Sequence, residues 1–225
     1  MPIQHCNDTL NDLSISERIR YIFTCYSPEE ILITSSFGIS SAYLLYHISR
    51  FEKKPDIHFI NTGFHFSSTL KYRDDLADIF GLNIVEIAPE FEDHSFTEYE
   101  KLWKTDPDSC CFINKVKPMD NLKSQFKVWV TGLMANQSAE RKKTAIVEVD
   151  KPILKFNPLF DENPNVISEK LKKLKIPLHP LHEKDYNSVG CLQCTDRGEG
   201  RSGRWQGLGK TECGLHNNIN KKYIP

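Results

Sequence analysis

Seven cysteines are spread through 225 residues, at positions 6, 25, 110, 111, 191, 194 and 213. Two of the close groupings carry chemistry. Cys110 and Cys111 are adjacent in DPDSCCFINK, and Cys191 and Cys194 form a C-x-x-C pair in VGCLQCTD. Neighbouring cysteines seldom bridge each other, because the geometry strains the peptide between them. Four thiolates can instead close around one metal centre. Zinc accepts a tetrahedron of cysteine sulfurs, and a [4Fe–4S] cluster takes four thiolates as well. The plain alternative is a set of buried apolar thiols. Thiolate chemistry does not by itself separate iron–sulfur from zinc. Cys6 and Cys25 fit neither pair and read as free structural thiols.

Cys213 stands apart, in KTECGLH, with His216 three residues on. Arg197, Arg201, Arg204 and Lys210 precede it. Cations near a thiol favour the reactive thiolate, and the same cations can hold an anion against it. A solvated charge run on a loop is the bland reading. A second anion signal lies in SSFGISS, residues 35–41. There small residues at Ser35, Ser36, Gly38, Ser40 and Ser41 let a phosphate approach the backbone at a helix start. An ordinary serine-capped turn explains that loop too. NTGFHF, residues 61–66, is a further candidate contact or a plain turn around Gly63.

These residues need a scaffold, and the hydrophobic pattern describes one. ILITSS, DIHFIN, NIVEIA and KVWVTG are β-branched runs that read as buried strands. SAYLLYHISRF, SSTLKYRDDLADIF and a stretch around 115–125 have helical spacing between them, after a first helix in SISERIRYIFTCY. Alternation of this kind predicts an α/β protein, with a parallel sheet covered on both faces by helices. AIVEV and ILKF follow as short β runs, and VISEKLKKLKI is a last amphipathic helix closed by Pro177. From 185 to 209 there are six glycines and little periodicity, which reads as loop or mobile tail. The expected organisation is a helical segment at 1–27, an α/β domain at 28–184, and a C-terminal segment at 185–225 carrying the second cysteine pair and Cys213.

Composition narrows the function classes. At 39% hydrophobic and 26% charged residues the chain can build a sizeable core. A net charge of -1 gives no support to bulk attraction to nucleic acid or membrane. Neither a long apolar span nor a signal-peptide pattern is present, so a cytoplasmic address is expected. In that setting cysteines point to metal or redox chemistry rather than a disulfide framework. The histidines at 5, 47, 58, 65, 94, 179 and 182 have no spacing that requires a ligand role, and the three tryptophans read as packing residues.

Taken together and in order, SSFG, INTG, the CC…CxxC set, RSGRW and KTECGLH resemble the assimilatory adenylyl-sulfate reductase family, from about Ile31 to His216. The loop at 35–38 is similar to the phosphate loop of the adenine nucleotide alpha hydrolase-like (PP-loop) superfamily, without its aspartate and with Phe37 in place of a glycine. The resemblance implies that fold and the thiol-dependent reduction of adenosine 5'-phosphosulfate to sulfite and AMP. It implies Cys213 as the nucleophile, with His216 and Lys115 at the reacting group, and Arg201 and Arg204 on the phosphosulfate. Ser35, Ser36, Phe37, Gly38, Thr131 and Gly132 would contact the nucleotide. Cys110, Cys111, Cys191 and Cys194 would hold a [4Fe–4S] cluster. A separate thioredoxin or glutaredoxin would supply electrons, since no such domain follows Cys213, and a homo-oligomer is expected. Met134 and Ala135 stand where the family usually has two arginines, although Arg141 matches a later one; Asn61 replaces a common aspartate, and the loop from Cys194 to Arg201 is short. The competing readings are a reductase of the 3'-phosphorylated nucleotide, and an RNA-modifying PP-loop enzyme or zinc-stabilised nucleotide-binding module.

Overall fold

The apolar runs at Ile31, Ile57 and Val128 form central parallel strands because their residues are almost all buried, whereas the run at Ile84 forms a half-buried edge strand. The computed structural model describes residues 3–216, with side chains from residue 6. It begins with α1 (Ile3–Asn11) and α2 (Ile15–Cys25). Ser14 opens α2 through a reciprocal capping box with Glu17, which satisfies backbone donors that the helix leaves free. Then follow β1 (Ile31–Thr34), α3 (Ser41–Ser49), β2 (Ile57–Ile60), α4 (Ser67–Phe80) and β3 (Ile84–Ile87). Gly81 ends α4 at φ 56°, a left-handed cap suited to glycine.

Three short helices, α5 (Phe91–Tyr99), α6 (Leu102–Thr105) and α7 (Pro107–Cys111), lead into a π-helical turn at Phe112–Val116 and then α8 (Lys117–Lys123). The expected helix around 115–125 is therefore α8 with this wider turn before it. The sequence reading placed α1 only within its helical segment at 1–27 and had no counterpart for α5 to α7. In α5 the reason is visible, since Phe91, Phe96 and Tyr99 are exposed and no apolar stripe marks a buried face. The chain continues through β4 (Val128–Val130), β5 (Val147–Asp150), β6 (Ile153–Phe156) and α9 (Pro164–Lys173).

The strands make a six-stranded sheet in the order β3-β2-β1-β4-β6-β5. All neighbours are parallel except β5, which pairs antiparallel with β6 at the edge. Asn7 of α1 covers that edge, its side-chain amide bonding both the N–H and the C=O of Val147. Arg18 is buried and forms a bidentate pair with Asp161 at 2.6 and 2.7 Å. Leu10, Ile15, Ile19 and Ile22 join the same apolar cluster as the sheet, so the first helices pack on the main core.

Chain direction across the sheet decides where a ligand can sit. From β1 the chain moves outward to β2 and β3, then returns to place β4 on β1's other side. The connections after β1 and β4 therefore diverge, and a crevice opens between them at the strands' carboxyl ends. Among the described residues no helix is long and apolar enough to cross a membrane.

Candidate active site

That crevice is a cleft of about 560 Å³. The connection after β1 forms one wall. Ser35 N–H bonds the carbonyl of His58 at 3.0 Å, and Ser35 Oγ accepts from the Phe37 N–H at 3.1 Å. Ser35, Ser36, Gly38, Ser40 and Ser41 all line the cleft. Phe37 does not, and its expected substrate contact is corrected. Its ring is fully buried, edge-on to Phe59 at 5.6 Å, so it anchors the loop in the core. Phe37 also has φ 48°, a strained value for a bulky residue and the kind of position that a glycine takes at no cost.

The turn after β4 forms the opposite wall, with Thr131 and Gly132 in the lining. Thr131 Oγ1 donates to Asn157 Oδ1 at 2.6 Å and accepts from the Leu133 N–H at 3.2 Å, so its hydroxyl shapes the turn. Met134 is fully buried in the main core and Ala135 N–H bonds the carbonyl of Phe160. The two missing arginines thus leave an apolar anchor and a backbone tie in their place. Asn61 takes over a turn, receiving the Gly63 N–H at 3.1 Å and donating to Glu86 at 2.9 Å.

A second, smaller cavity adjoins the cleft, and all four paired cysteines line it with Phe64, Trp103, Asn114, Lys115 and Gln193. Asp106 caps α7 through the Ser109 N–H and puts Cys110 and Cys111 at its last turn. Asn114, on the π-helical turn, donates to the Cys110 carbonyl at 2.9 Å and to Thr97 at 3.0 Å. The C-x-x-C loop is closed by Cys194 N–H to Cys191 C=O, and Leu192 N–H binds it to Phe64 C=O at 2.7 Å. Burial pushes the Cys110 thiol up to about 12 and that of Cys111 up to about 11. At Cys191 burial acts the same way and is the largest single influence, but Lys115, the Thr62 hydroxyl and Arg204 together outweigh it and hold the thiol below its usual value. Among the described residues no three His, Cys, Asp or Glu side chains are set to grip a single metal ion. The donor set is nevertheless four buried soft thiols facing one cavity, a chemistry that fits a cluster bridging between them.

Lys115 and Cys191 line both cavities and form the partition between them. Burial alone would lower the Lys115 pKa, yet Cys191, Cys111 and Cys213 raise it overall, so it stays cationic. Arg141, Arg201 and Arg204 complete the cationic lining. Arg204 is wedged in place: Nε bonds the Cys194 carbonyl at 3.2 Å and the guanidinium lies 4.4 Å from the Trp205 ring centre. A Cβ on Gly190 would come within 2.2 Å of it, so only glycine leaves that space.

Cys213 lies in the same cleft, and three contacts bring its segment there. Lys210 pairs with Asp108 of α7. Glu212 is buried and pairs with Arg141 and Arg201. The His216 ring stacks on Trp129 of β4, with centroids 5.3 Å apart and planes 10° from parallel. The described part of the tail is thus loop, as expected, but packed loop.

Sequence reasoning missed Trp129, Glu212 and His65. Trp129 reads as core until the tail reaches it. His65 carries no spacing signal, yet it lines the cleft; burial draws its pKa to about 4, and its Nε2 meets the Ile60 carbonyl at 3.0 Å. Only the long-range bridge between His65 and Cys191 reveals the link.

Burial, then Arg141, Lys155, Lys123 and Arg201, hold the His216 pKa well below its ordinary 6.5. Lys155 and Lys123 are themselves paired with Glu148 and Asp150. A group whose folded pKa is depressed supports structure above its free value and loses that support as pH falls. Glu212 is different, because burial would raise its pKa, and Arg141, Arg201 and Ser138 together more than reverse this, holding it below its ordinary 4.5. Lowering pH from about 7.5 to 5.5 should therefore loosen residues 210–216 through His216. Hydrogen–deuterium exchange there, corrected for intrinsic rate, should rise severalfold, and His216→Asn should flatten the profile. Unchanged protection in the parent protein would remove His216 as the cause.

Comparison with known proteins decides the family. Residues 30–197 match the phosphoadenosine phosphosulfate reductase domain. The chain belongs to that family. The adenosine 5'-phosphosulfate reductase of Oceanobacillus iheyensis is 34% identical, over 89% of this chain and 87% of that protein. The phosphoadenosine 5'-phosphosulfate reductase of Gloeobacter violaceus is 31% identical, over 95% and 93%. The crystal structure of a phosphoadenylyl-sulfate reductase from Candida auris superposes with a TM-score of 0.75 at 24% identity, covering 86% of this chain and 96% of that one. The likeness in structure shows that the two chains share one fold.

Proposed function

We propose that the protein is an adenylyl-sulfate reductase, which converts adenosine 5'-phosphosulfate to sulfite and AMP in sulfate assimilation. The observation carrying this reading is the meeting of Cys213 with Lys115, Arg141, Arg201 and Arg204 in one cleft beside the serine-rich loop after β1. A sulfate sulfur is screened by anionic oxygens that repel a thiolate. Cations that neutralise those oxygens and set the sulfur in line with Sγ supply what the reaction lacks.

Ser35, Ser36, Gly38, Thr131 and Gly132 would take the nucleotide, and Arg201, Arg204, Lys115 and His216 the phosphosulfate. Cys213 Sγ attacks the sulfur, the bond from sulfur to the bridging oxygen breaks, and AMP leaves with that oxygen's electron pair. Cys213 is left as S-sulfocysteine. A dithiol protein such as thioredoxin or glutaredoxin then attacks Cys213 Sγ and expels sulfite. Its second thiol resolves the mixed disulfide, so two electrons pass and Cys213 returns as a thiol. Cys110, Cys111, Cys191 and Cys194 would hold a [4Fe–4S] cluster by their sulfurs. When bound, it supplies an anchoring centre that joins α7 to the C-x-x-C loop beside Lys115.

Release of Cys213 to a protein reductant needs the tail to open. Its few tethers suit a segment that closes on substrate and swings out for reduction. A homo-oligomer and a cytoplasmic setting complete the reading. The 3'-phosphorylated nucleotide is the alternative substrate, favoured by the second kind of relative. Incubation with each nucleotide, followed by intact-mass measurement, separates them. Adenosine 5'-phosphosulfate should add one sulfonate at Cys213 that reduced thioredoxin removes with release of sulfite. Faster labelling by the 3'-phosphorylated nucleotide would reverse the substrate assignment, and labelling at another residue would refute the mechanism.

A further inference from the structure

Glu212 is a charged residue of the tail to which the reaction above gives no task. Its side chain is 5% exposed. Arg141 donates to it twice, Nε to Oε1 at 2.8 Å and a terminal nitrogen to Oε2 at 2.9 Å. Arg201 donates to Oε2 at 3.2 Å, and Ser138 Oγ to Oε1 at 2.9 Å. The same Arg201 nitrogen donates to the Thr211 carbonyl at 2.9 Å. Two consecutive residues are thus fixed to the cleft wall immediately before Cys213. Further tethers act at Lys210 and His216, each three residues from the thiol, and Leu215 packs against the cluster around Trp129.

A buried carboxylate is a weak source of net stability, since desolvation offsets most of its attraction to a partner. What it does set is geometry. The bidentate contact fixes both planar groups in one orientation, and near-attack alignment is sensitive to displacements of an ångström. Glu212 also occupies two of the cations that line the cleft, which defines a rival role. If it only neutralises them, removing its charge would tighten substrate binding and leave the chemical step alone.

We propose that Glu212 is a positioning residue: seated on Arg141 and Arg201, it holds Cys213 in register against the substrate anion. The proposal rests on the reaction put forward above and deepens it. The test uses the holoenzyme with Glu212→Gln, which keeps shape but removes the charge and turns one of the two acceptor oxygens into a donor NH2. Single-turnover formation of the Cys213 sulfonate at saturating adenosine 5'-phosphosulfate should slow by about 10-fold or more, while substrate affinity changes by less than about 3-fold. Without nucleotide, the plateau rate of Cys213 alkylation by iodoacetamide at high pH, where thiolate is complete, should rise about 3-fold or more as the segment loosens.

Ser138→Ala removes one donor to the carboxylate and should move both readings the same way by less. It carries the test if the Gln variant does not fold. An unchanged rate of sulfonate formation in both variants would overturn the proposal, as would unchanged alkylation, or tighter substrate binding with an undiminished rate. The alkylation arm needs no nucleotide. Absence of any sulfonate on the parent enzyme would therefore sink the reaction while leaving the positional claim to be judged by alkylation.

Discussion

Replacing Cys213 by serine should abolish sulfite release, with turnover falling by at least about 10⁴-fold and no sulfonate adduct detectable by mass. The size of the effect follows from the nucleophile. A serine hydroxyl in this cleft would have to lose its proton to attack sulfur, and among the described residues no general base is hydrogen-bonded to Cys213. His216 cannot serve easily, since burial and four nearby cations already depress its basicity. Binding should survive, because the nucleotide loop and Arg204 do not depend on the thiol. Calorimetry should show affinity within about 3-fold of the parent, the signature of an interaction made only in the transition state. Retained turnover in the serine variant would defeat the mechanism outright.

Cys191→Ser should have the second largest effect, on metal content rather than on rate alone. Cys191 is buried on the partition between the cleft and the four-cysteine cavity, its sulfur 3.4 Å from Thr62 Oγ1. Its loss should lower iron content by more than the roughly 10–100-fold in affinity that removing a supporting hydrogen bond costs. Because binding of such a centre is coupled to folding, the melting temperature should fall as well, by about 2–4 °C for each kcal/mol lost in a chain of this size. Cys6→Ser and Cys25→Ser serve as controls, since both thiols lie outside the cavity. Visible absorption and iron analysis of anaerobically purified protein give the readout. A colourless parent protein containing zinc would dismiss the iron–sulfur assignment, whereas full iron in the Cys191 variant would dismiss its role as a ligand.

Much of the scaffold was legible because its signals are local. The β-branched runs at Ile31, Ile57, Ile84 and Val128 each became a strand, and SSTLKYRDDLADIF became α4 with its glycine cap. The helices before Cys110 were not legible: α5 is short and exposes its aromatics, and α6 and α7 have four and five residues. Their place is set by packing over Phe64 and the C-x-x-C loop, which no window of sequence contains. Phe37 misled because a motif reports which residues form a loop, not which side chains face inward.

Residue identity and order determined the chemistry available: a pair and a C-x-x-C of soft ligands, one thiol near the end of the chain, and cations ahead of it. Those properties belong to side chains and persist in any conformation. Tertiary structure alone decided what stands opposite what, putting Lys115 between two cavities, His216 flat against Trp129, and Glu212 on Arg141, 71 positions away in the chain. Such contacts depend on how loops separated by a whole sheet converge at its carboxyl end, and local periodicity carries no record of that distance.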